Sequence, residues 1–299
     1  GVATVSGAIQ LRVRLSGEID AETVSGRIAV AVNGEKVRDL SATAIENLAE
    51  TQVGALTATQ IASLSTTAVG ALDETQIGAL STTQAAAFTA AQVARISTTA
   101  LSALDATQVA AMTSTQVKAF TATQIAALTS SDVAELTAAQ IGALSTQQVQ
   151  AFTATSIAEL NETQVAALTA NQVKALTNTT LASLADTQMA ALTTTQIAAL
   201  TATQVGALTA TNAAALTTTQ IGALNGTQIG RLATAALNAF DAAQFGALNT
   251  TQMRALTTTQ INGLTASDIA DITTTQIAAL TTTQLAGVST TTIAGLVET

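Results

Sequence analysis

An apolar residue stands at every eighth position from Leu40 to Leu296, without one insertion or deletion. A chain held to so short and strict a spacing is an array of small, nearly equivalent units rather than a few large elements around one core. The unit is seen cleanly in Thr57-Ala58-Thr59-Gln60-Ile61-Ala62-Ser63-Leu64. A small polar residue comes first, usually with Gln three later; an aliphatic residue, two small residues and Leu complete the octad.

One continuous α-helix does not satisfy this pattern. Eight residues per two turns would require about 4.0 residues per turn, outside the roughly 3.5 to 3.67 that supercoiling absorbs. The helix therefore has to break once per octad, and the residues for breaking and restarting it are present. The residue after the Leu position is Ser, Thr, Asp or Asn in 29 of the 32 octads from Ser41 to Leu296. These are the preferred helix N-caps, because their side-chain oxygen accepts an orphan amide of the first turn. Gln follows three residues on in 22 of the 32, completing a capping box in which cap and third helical residue satisfy each other's amides. Leu56, Thr57, Gln60 and Ile61 exemplify the whole device: Thr57 caps, Gln60 closes the box, and Leu56 and Ile61 occupy the two positions of a hydrophobic staple. The spacing predicts a helix of about one and a half turns per octad, a bend at each Leu-Thr junction and immediate re-initiation. So short a helix is unstable alone, and stacking of octads has to supply the stability.

A slower rhythm appears where Gln is missing, at Ala44, Ala68, Ala100, Asp132, Ser156, Thr180, Asn212, Ala236, Asp268 and Thr292. The gaps are only ever 24 or 32 residues, which averages about 3.4 octads per cycle. A superhelix with that many octads per turn places the ten positions on one line along its axis, so one face is expected to differ from the rest. The expected fold is mainly α: a solenoid of very short capped helices, one per eight residues, about 3.4 repeats per turn. A β-solenoid of similar rung length competes, favoured by abundant Thr, Ile and Val, but it leaves the Gln column unexplained.

Residues 1 to 40 have a different grammar. Ile9-Gln10-Leu11-Arg12-Val13-Arg14-Leu15 alternates with period two, and Asn33-Gly34 follows a second β-like run, Arg27 to Val32. Alternation and an Asn-Gly turn predict a small antiparallel sheet of about three strands, a β-rich cap or assembly segment ahead of the array at 41–299.

Composition narrows function. The 299 residues contain no Pro, Cys, His, Trp or Tyr, and the net charge is -9. Thiolate nucleophiles, disulfides and imidazole acid-base chemistry are excluded with the residues that perform them. No enzymatic activity, cofactor, metal or small-molecule substrate is expected. Five of the ten Lys and Arg lie in the first forty residues, so the array lacks the cation clusters that hold nucleic acid. Thr and Gln interrupt every window long enough to cross a bilayer, so no membrane insertion is expected. The acidic pairs Asp73 with Glu74, Glu159 with Glu162 and Asp268 with Asp271 suggest acid-base work or calcium binding on paper. Asp73 and Asp268, however, fall at cap or third helical positions, where an acid suits the helix dipole. The Phe at 88, 120, 152, 240 and 245 stand in register at apolar positions and read as core.

The octads Leu-Thr-Thr-Thr-Gln-Ile-Ala-Ala-Leu, at 192 to 200 and, opening with Ile, at 272 to 280, resemble tracts of very large, repetitive proteobacterial surface proteins of the haem-utilisation or adhesion kind. The resemblance covers residues 41 to 299 and implies an exported, bacterial cell-surface or filamentous role. Haem chemistry does not carry over, because the only conceivable axial ligands are Met112, Met189 and Met253, and each occupies an apolar repeat position.

The expected function is structural: a rod on the order of 80 Å at the spacing of packed helices, associating head to tail into an extracellular filament. Gly1 fits a processed or excised chain. A terminus at Leu296-Val297-Glu298-Thr299 without a polar capping repeat, opposite a sheet with open edges, gives two unlike sticky ends. The alternative is an adhesin stalk presenting a binding domain outside this chain. An ice-binding or other lattice-matching surface, suggested by Thr-x-Thr spacing, is the remote alternative.

Overall fold

The computed structural model describes residues 21–24, 27–32, 35–36, 40–290 and 294. Near the start, strands β1 (Ala21–Val24), β2 (Arg27–Val32) and β3 (Glu35–Lys36) pair antiparallel in that order. Val24 lies opposite Arg27, and Val32 opposite Glu35. The strand expected over Ile9 to Leu15 and the Asn33-Gly34 turn lie outside the described residues.

Over the described residues from Ser41 onward the chain is helical. Thirty-one helices follow among the described residues, from α1 (Ala42–Glu46) to α31 (Thr282–Gly287), one per octad. None of these octads forms a strand rung, so the β-solenoid alternative is set aside. The α3 helix (Ala58–Ser63) shows how an octad starts and stops. Thr57 is extended at φ -73°, ψ 158°, and Leu64 at the other end is extended at φ -57°, ψ 143°. Ser65 then caps the next helix from a third extended conformation, φ -65°, ψ 153°. Two successive extended residues, Leu then cap, are what turn the corner. The Leu64 amide donates to the Ile61 carbonyl over 3.2 Å, a tight last turn that satisfies one of the orphan carbonyls of the helix end.

The chain divides into two compact units, residues 1–144 and 145–299. In the first, α5 (Glu74–Gly78) packs against α2 (Glu50–Gly54) and α8 (Thr98–Leu101). In the second, α20 (Thr194–Ala199) packs against α17 (Ala170–Ala175) and α23 (Thr218–Ala223). Each partner is three octads away, a solenoid-like stacking in which short helices are held by their neighbours rather than by their own length. The buried aliphatics come from two octad positions: Ile61 with Leu64 in one unit, Ile197 with Leu200 in the other. Phe88, Phe120, Phe152, Phe240 and Phe245 are buried at those same positions, as are Met112, Met189 and Met253.

In several octads the backbone of a following layer comes close to the residue after the first aliphatic. A Cβ added at Gly54 would lie 3.1 Å from the Ala79 carbonyl oxygen, one at Gly78 3.3 Å from that of Ala103, and one at Gly206 3.0 Å from that of Arg231. The offset is the same in both units. Among the described residues no helix is long and apolar enough to cross a membrane.

Candidate functional site, the glutamine column

Gln60 shows the capping box as the sequence predicts it. The Thr57 hydroxyl accepts the Gln60 amide at 3.2 Å, and Gln60 Oε1 accepts the Thr57 amide at 2.7 Å. Leu56 and Ile61, the staple positions, are both buried. Where the cap is Ala, half of the box survives: the Ala49 and Ala185 amides still donate to Oε1 of Gln52 and Gln188, but an alanine side chain has no oxygen to return the bond. α25 (Thr234–Leu237) has neither half, with Ala233 as cap and Ala236 at the third position.

In most octads the glutamine at this position has a second task that capping does not require. Gln76 Nε2 donates to the Ile45 carbonyl at 2.8 Å and the Leu48 carbonyl at 2.7 Å, 31 and 28 residues earlier. Gln92 reaches Ile61 and Leu64 in the same way. In the second unit Gln196 reaches Val165 and Leu168, and Gln252 reaches Ile221 and Leu224. These carbonyls belong to the end of an earlier helix and the junction after it, the acceptors that a helix leaves without a full complement of partners. One side chain thus starts its own helix through Oε1 and closes an earlier one through Nε2. Gln76 is 1% exposed, and a buried amide satisfied at both ends costs little and specifies one register.

The exceptions follow from position. Gln52 and Gln60 make the Oε1 bond, but among the described residues their Nε2 has no acceptor, and both are half-buried rather than buried. The sequence does contain a signal for the second task. Where the third position is not Gln it is never Glu, although a capping box accepts Glu equally well. Of these two, only Gln brings a donor to the earlier carbonyls.

Eight of the ten Gln-less positions are interior. Ala68, Ala100, Asp132, Ser156, Thr180, Asn212, Ala236 and Asp268 are buried, Ala44 is half-buried, and Thr292 lies outside the described residues. The shorter polar residues keep the cap: Oδ2 of Asp132 and of Asp268 each accepts the amide of its own cap threonine at 2.7 Å. Their reach across layers is reduced. Asn212 Nδ2 donates to the Leu184 carbonyl at 3.1 Å, while Asp132 accepts from the Ser102 hydroxyl at 2.7 Å.

No reactive constellation appears among these groups. Asp73 accepts the Gln76 amide and the Thr75 hydroxyl, each at 2.8 Å, and these bonds hold its carboxyl below the ordinary range. Asp105 is lowered likewise, first by the Thr107 hydroxyl and then by the Gln108 amide. Glu135 goes the other way: burial raises its pKa, assisted by the charges of Asp132 and Asp105, and its Oε2 is buried without a hydrogen-bond partner. Among the described residues no three acidic side chains gather as metal ligands. Two open depressions, one bordered by Glu74, Ser102 and Thr129 and the other by Leu200, Asn225 and Gln228, gather no more than one charged side chain each.

A glutamine at the third position, a cap before it and an aliphatic after it make an octad whose consensus is itself recognisable. The ALTTAQ repeat family model matches residues 125–162, 227–258 and 252–282. These three stretches amount to less than half of the chain, and all lie in the helical array. The chain is therefore similar to ALTTAQ repeats there, as a repeat tract. No curated protein matches it.

Proposed function

We propose that this chain is a structural repeat protein whose octads wind into a superhelix of about 3.4 octads per turn, forming an extracellular rod that associates head to tail. The observation that carries this is the glutamine bridge: Gln196 Nε2 meets carbonyls 28 and 31 residues earlier, an offset of between three and four octads. A residue spent in every such octad on linking one layer to another serves length and regularity. The Gln-less positions of the sequence recur with a similar cycle. In this reading the N-terminal strands act as a cap or assembly segment, and the surface of small polar residues supports export to a bacterial cell surface.

An adhesin stalk, holding a binding domain away from the cell, uses the same rod without self-association. Negative-stain electron microscopy of the purified chain separates the possibilities. Fibres of uniform width support the filament, discrete rods support the stalk, and compact globules contradict both.

A further inference from the structure

Two Asn-Gly pairs stand in the described part of the array, Asn225-Gly226 and Asn262-Gly263, and the fold treats them differently. In such a pair the backbone nitrogen of the glycine can attack the asparagine side-chain carbonyl, because no Cβ shields it. Gly226 is the first residue of α24 (Gly226–Ile229), and among the described residues its amide donates to no acceptor, an orphan of the helix start. Asn225 Oδ1 accepts the Gln228 amide at 3.0 Å, which holds the side-chain carbon over the same helix end and polarises its carbonyl with a fixed donor. Asn225 is exposed and borders an open depression with Leu200 and Gln228, so water reaches it. Glycine stands there for packing, since an added Cβ at Gly226 would lie 2.9 Å from that of Ala255. At Asn262-Gly263 the corresponding groups are all engaged. The Gly263 amide donates to the Thr259 and Gln260 carbonyls at 3.0 and 3.2 Å. Asn262 Nδ2 donates to the Gly287 carbonyl at 3.0 Å, and its Oδ1 accepts the Ser289 amide at 2.8 Å.

We infer that Asn225-Gly226 is a modification site, at which the chain deamidates its own helix cap. The Gly226 nitrogen forms a bond to Asn225 Cγ, the bond from Cγ to Nδ2 breaks, and Nδ2 leaves as ammonia with the proton given up by the Gly226 amide, closing a five-membered imide. Water then opens the imide. Opening at Cγ leaves aspartate; opening at the backbone carbonyl leaves isoaspartate, with the chain running through Cβ and Cγ. Aspartate keeps an oxygen for the Gln228 amide and suits the start of a helix. Isoaspartate adds one carbon to the backbone between Gly226 and the Asn225 amide, which Gln228 Oε1 accepts at 2.7 Å. It also displaces the carbonyl that accepts the Ile229 amide at 3.0 Å. That product loosens the octad, and with it the bond from Gln228 Nε2 to the Leu200 carbonyl. The reaction needs only water, and it holds whether or not the chain forms rods.

The test follows the full chain, folded by circular dichroism, through incubation at mildly alkaline pH, beside a sample held in denaturant. Peptide mapping by mass spectrometry, with isoaspartate labelled by an isoaspartyl methyltransferase, reads each asparagine separately. In the folded chain, conversion at Asn225 is expected to be on the order of tenfold faster than at Asn262, with both aspartate and isoaspartate among the products. In the denatured chain the two pairs are expected to convert at similar rates, because the bonds that engage Asn262 and Gly263 are gone. Asn225→Ser keeps a cap and removes the reactive amide. Its melting curve is expected to stay unchanged over an incubation that shifts part of the wild-type transition to lower temperature. The proposal is overturned by conversion at Asn225 no faster than at Asn262 in the folded chain, by a preference for Asn225 that persists undiminished in denaturant, or by an equal loss of stability in Asn225→Ser.

Discussion

Gln196 Nε2 donates to the Leu168 carbonyl while Gln196 Oε1 accepts the Thr193 amide. A side chain at the start of one helix therefore fixes the distance to a junction 28 residues earlier. Helix initiation and layer stacking are coupled at a single residue, which is why neither needs a long helix or a large core residue. Removing either end of that amide also leaves backbone groups buried without partners, the costly side of hydrogen-bond energetics.

Gln60 and Gln196 separate the two tasks. Gln60→Leu removes only a cap contact and is expected to cost about 1 kcal/mol, as is Thr57→Val. Gln196→Leu also strands the Leu168 carbonyl and removes one of the two donors to that of Val165, and is expected to cost about 2 to 4 kcal/mol. Chemical denaturation of the two variants checks this; equal losses would mean that the cross-layer bonds contribute nothing.

Proline distinguishes where helices begin. At Thr194, the first residue of α20, no helical hydrogen bond is lost and the preceding Thr193 is already extended at φ -70°, ψ 157°. At Ile197 the amide donates to the Thr193 carbonyl at 3.0 Å, so proline there breaks the bond that closes the first turn, and a loss of roughly 3 kcal/mol or more is expected. Thermal melts of T194P and I197P should differ widely, with T194P near wild type.

Glycines that look alike in the sequence should respond oppositely. Gly222, inside α23, has nothing within 4 Å of an added Cβ, so Gly222→Ala is expected to stabilise by roughly 0.5 to 1 kcal/mol. At Gly230 the added Cβ would lie 2.8 Å from the Ala255 carbonyl oxygen, and overpacking of about 1 to 3 kcal/mol is expected. Denaturation midpoints moving in the same direction would contradict the close approach of these layers.

Glu135 gives a pH signature. Its folded-state pKa is raised by burial and by Asp132 and Asp105, so the cost of its charge is absent below the ordinary carboxylate range and appears as pH rises through the raised value. Glu135→Gln is therefore expected to raise Tm at neutral pH and to match wild type below about pH 4. Asp73 and Asp105 act in the opposite sense: their lowered values give stability that is present above the ordinary range and lost as pH falls through the lowered values. Asp73→Asn should destabilise at neutral pH and converge with wild type in acid.

Much of the local structure was legible because it is written within one octad. Thr57, Gln60 and the apolar pair around them specify a helix start with no information from elsewhere. Gln196 was only half legible. Its oxygen's partner lies three residues away, whereas its nitrogen's partner lies 28 away, and nothing within an octad names it; the consistent choice of Gln over Glu is the trace it leaves. Asp268 reads as an acid at a cap or third helical position and is the third residue of its capping box, but its burial depends on the layers around it. Gly54 and Gly78 read merely as small residues until the backbone of another layer is placed beside them.

The most direct test of the layered stacking uses the absence of cysteine from the chain. A Cβ at Gly70 would lie 3.8 Å from that of Arg95, within the span of about 3.5 to 4.5 Å that a disulfide bridges. The double variant Gly70→Cys with Arg95→Cys, oxidised at low concentration and mapped by mass spectrometry, should form an intramolecular bond in nearly all molecules. A control pairing Gly70→Cys with Ala87→Cys should not. Failure of the first pair to close, or equal closure of the control, would contradict the account.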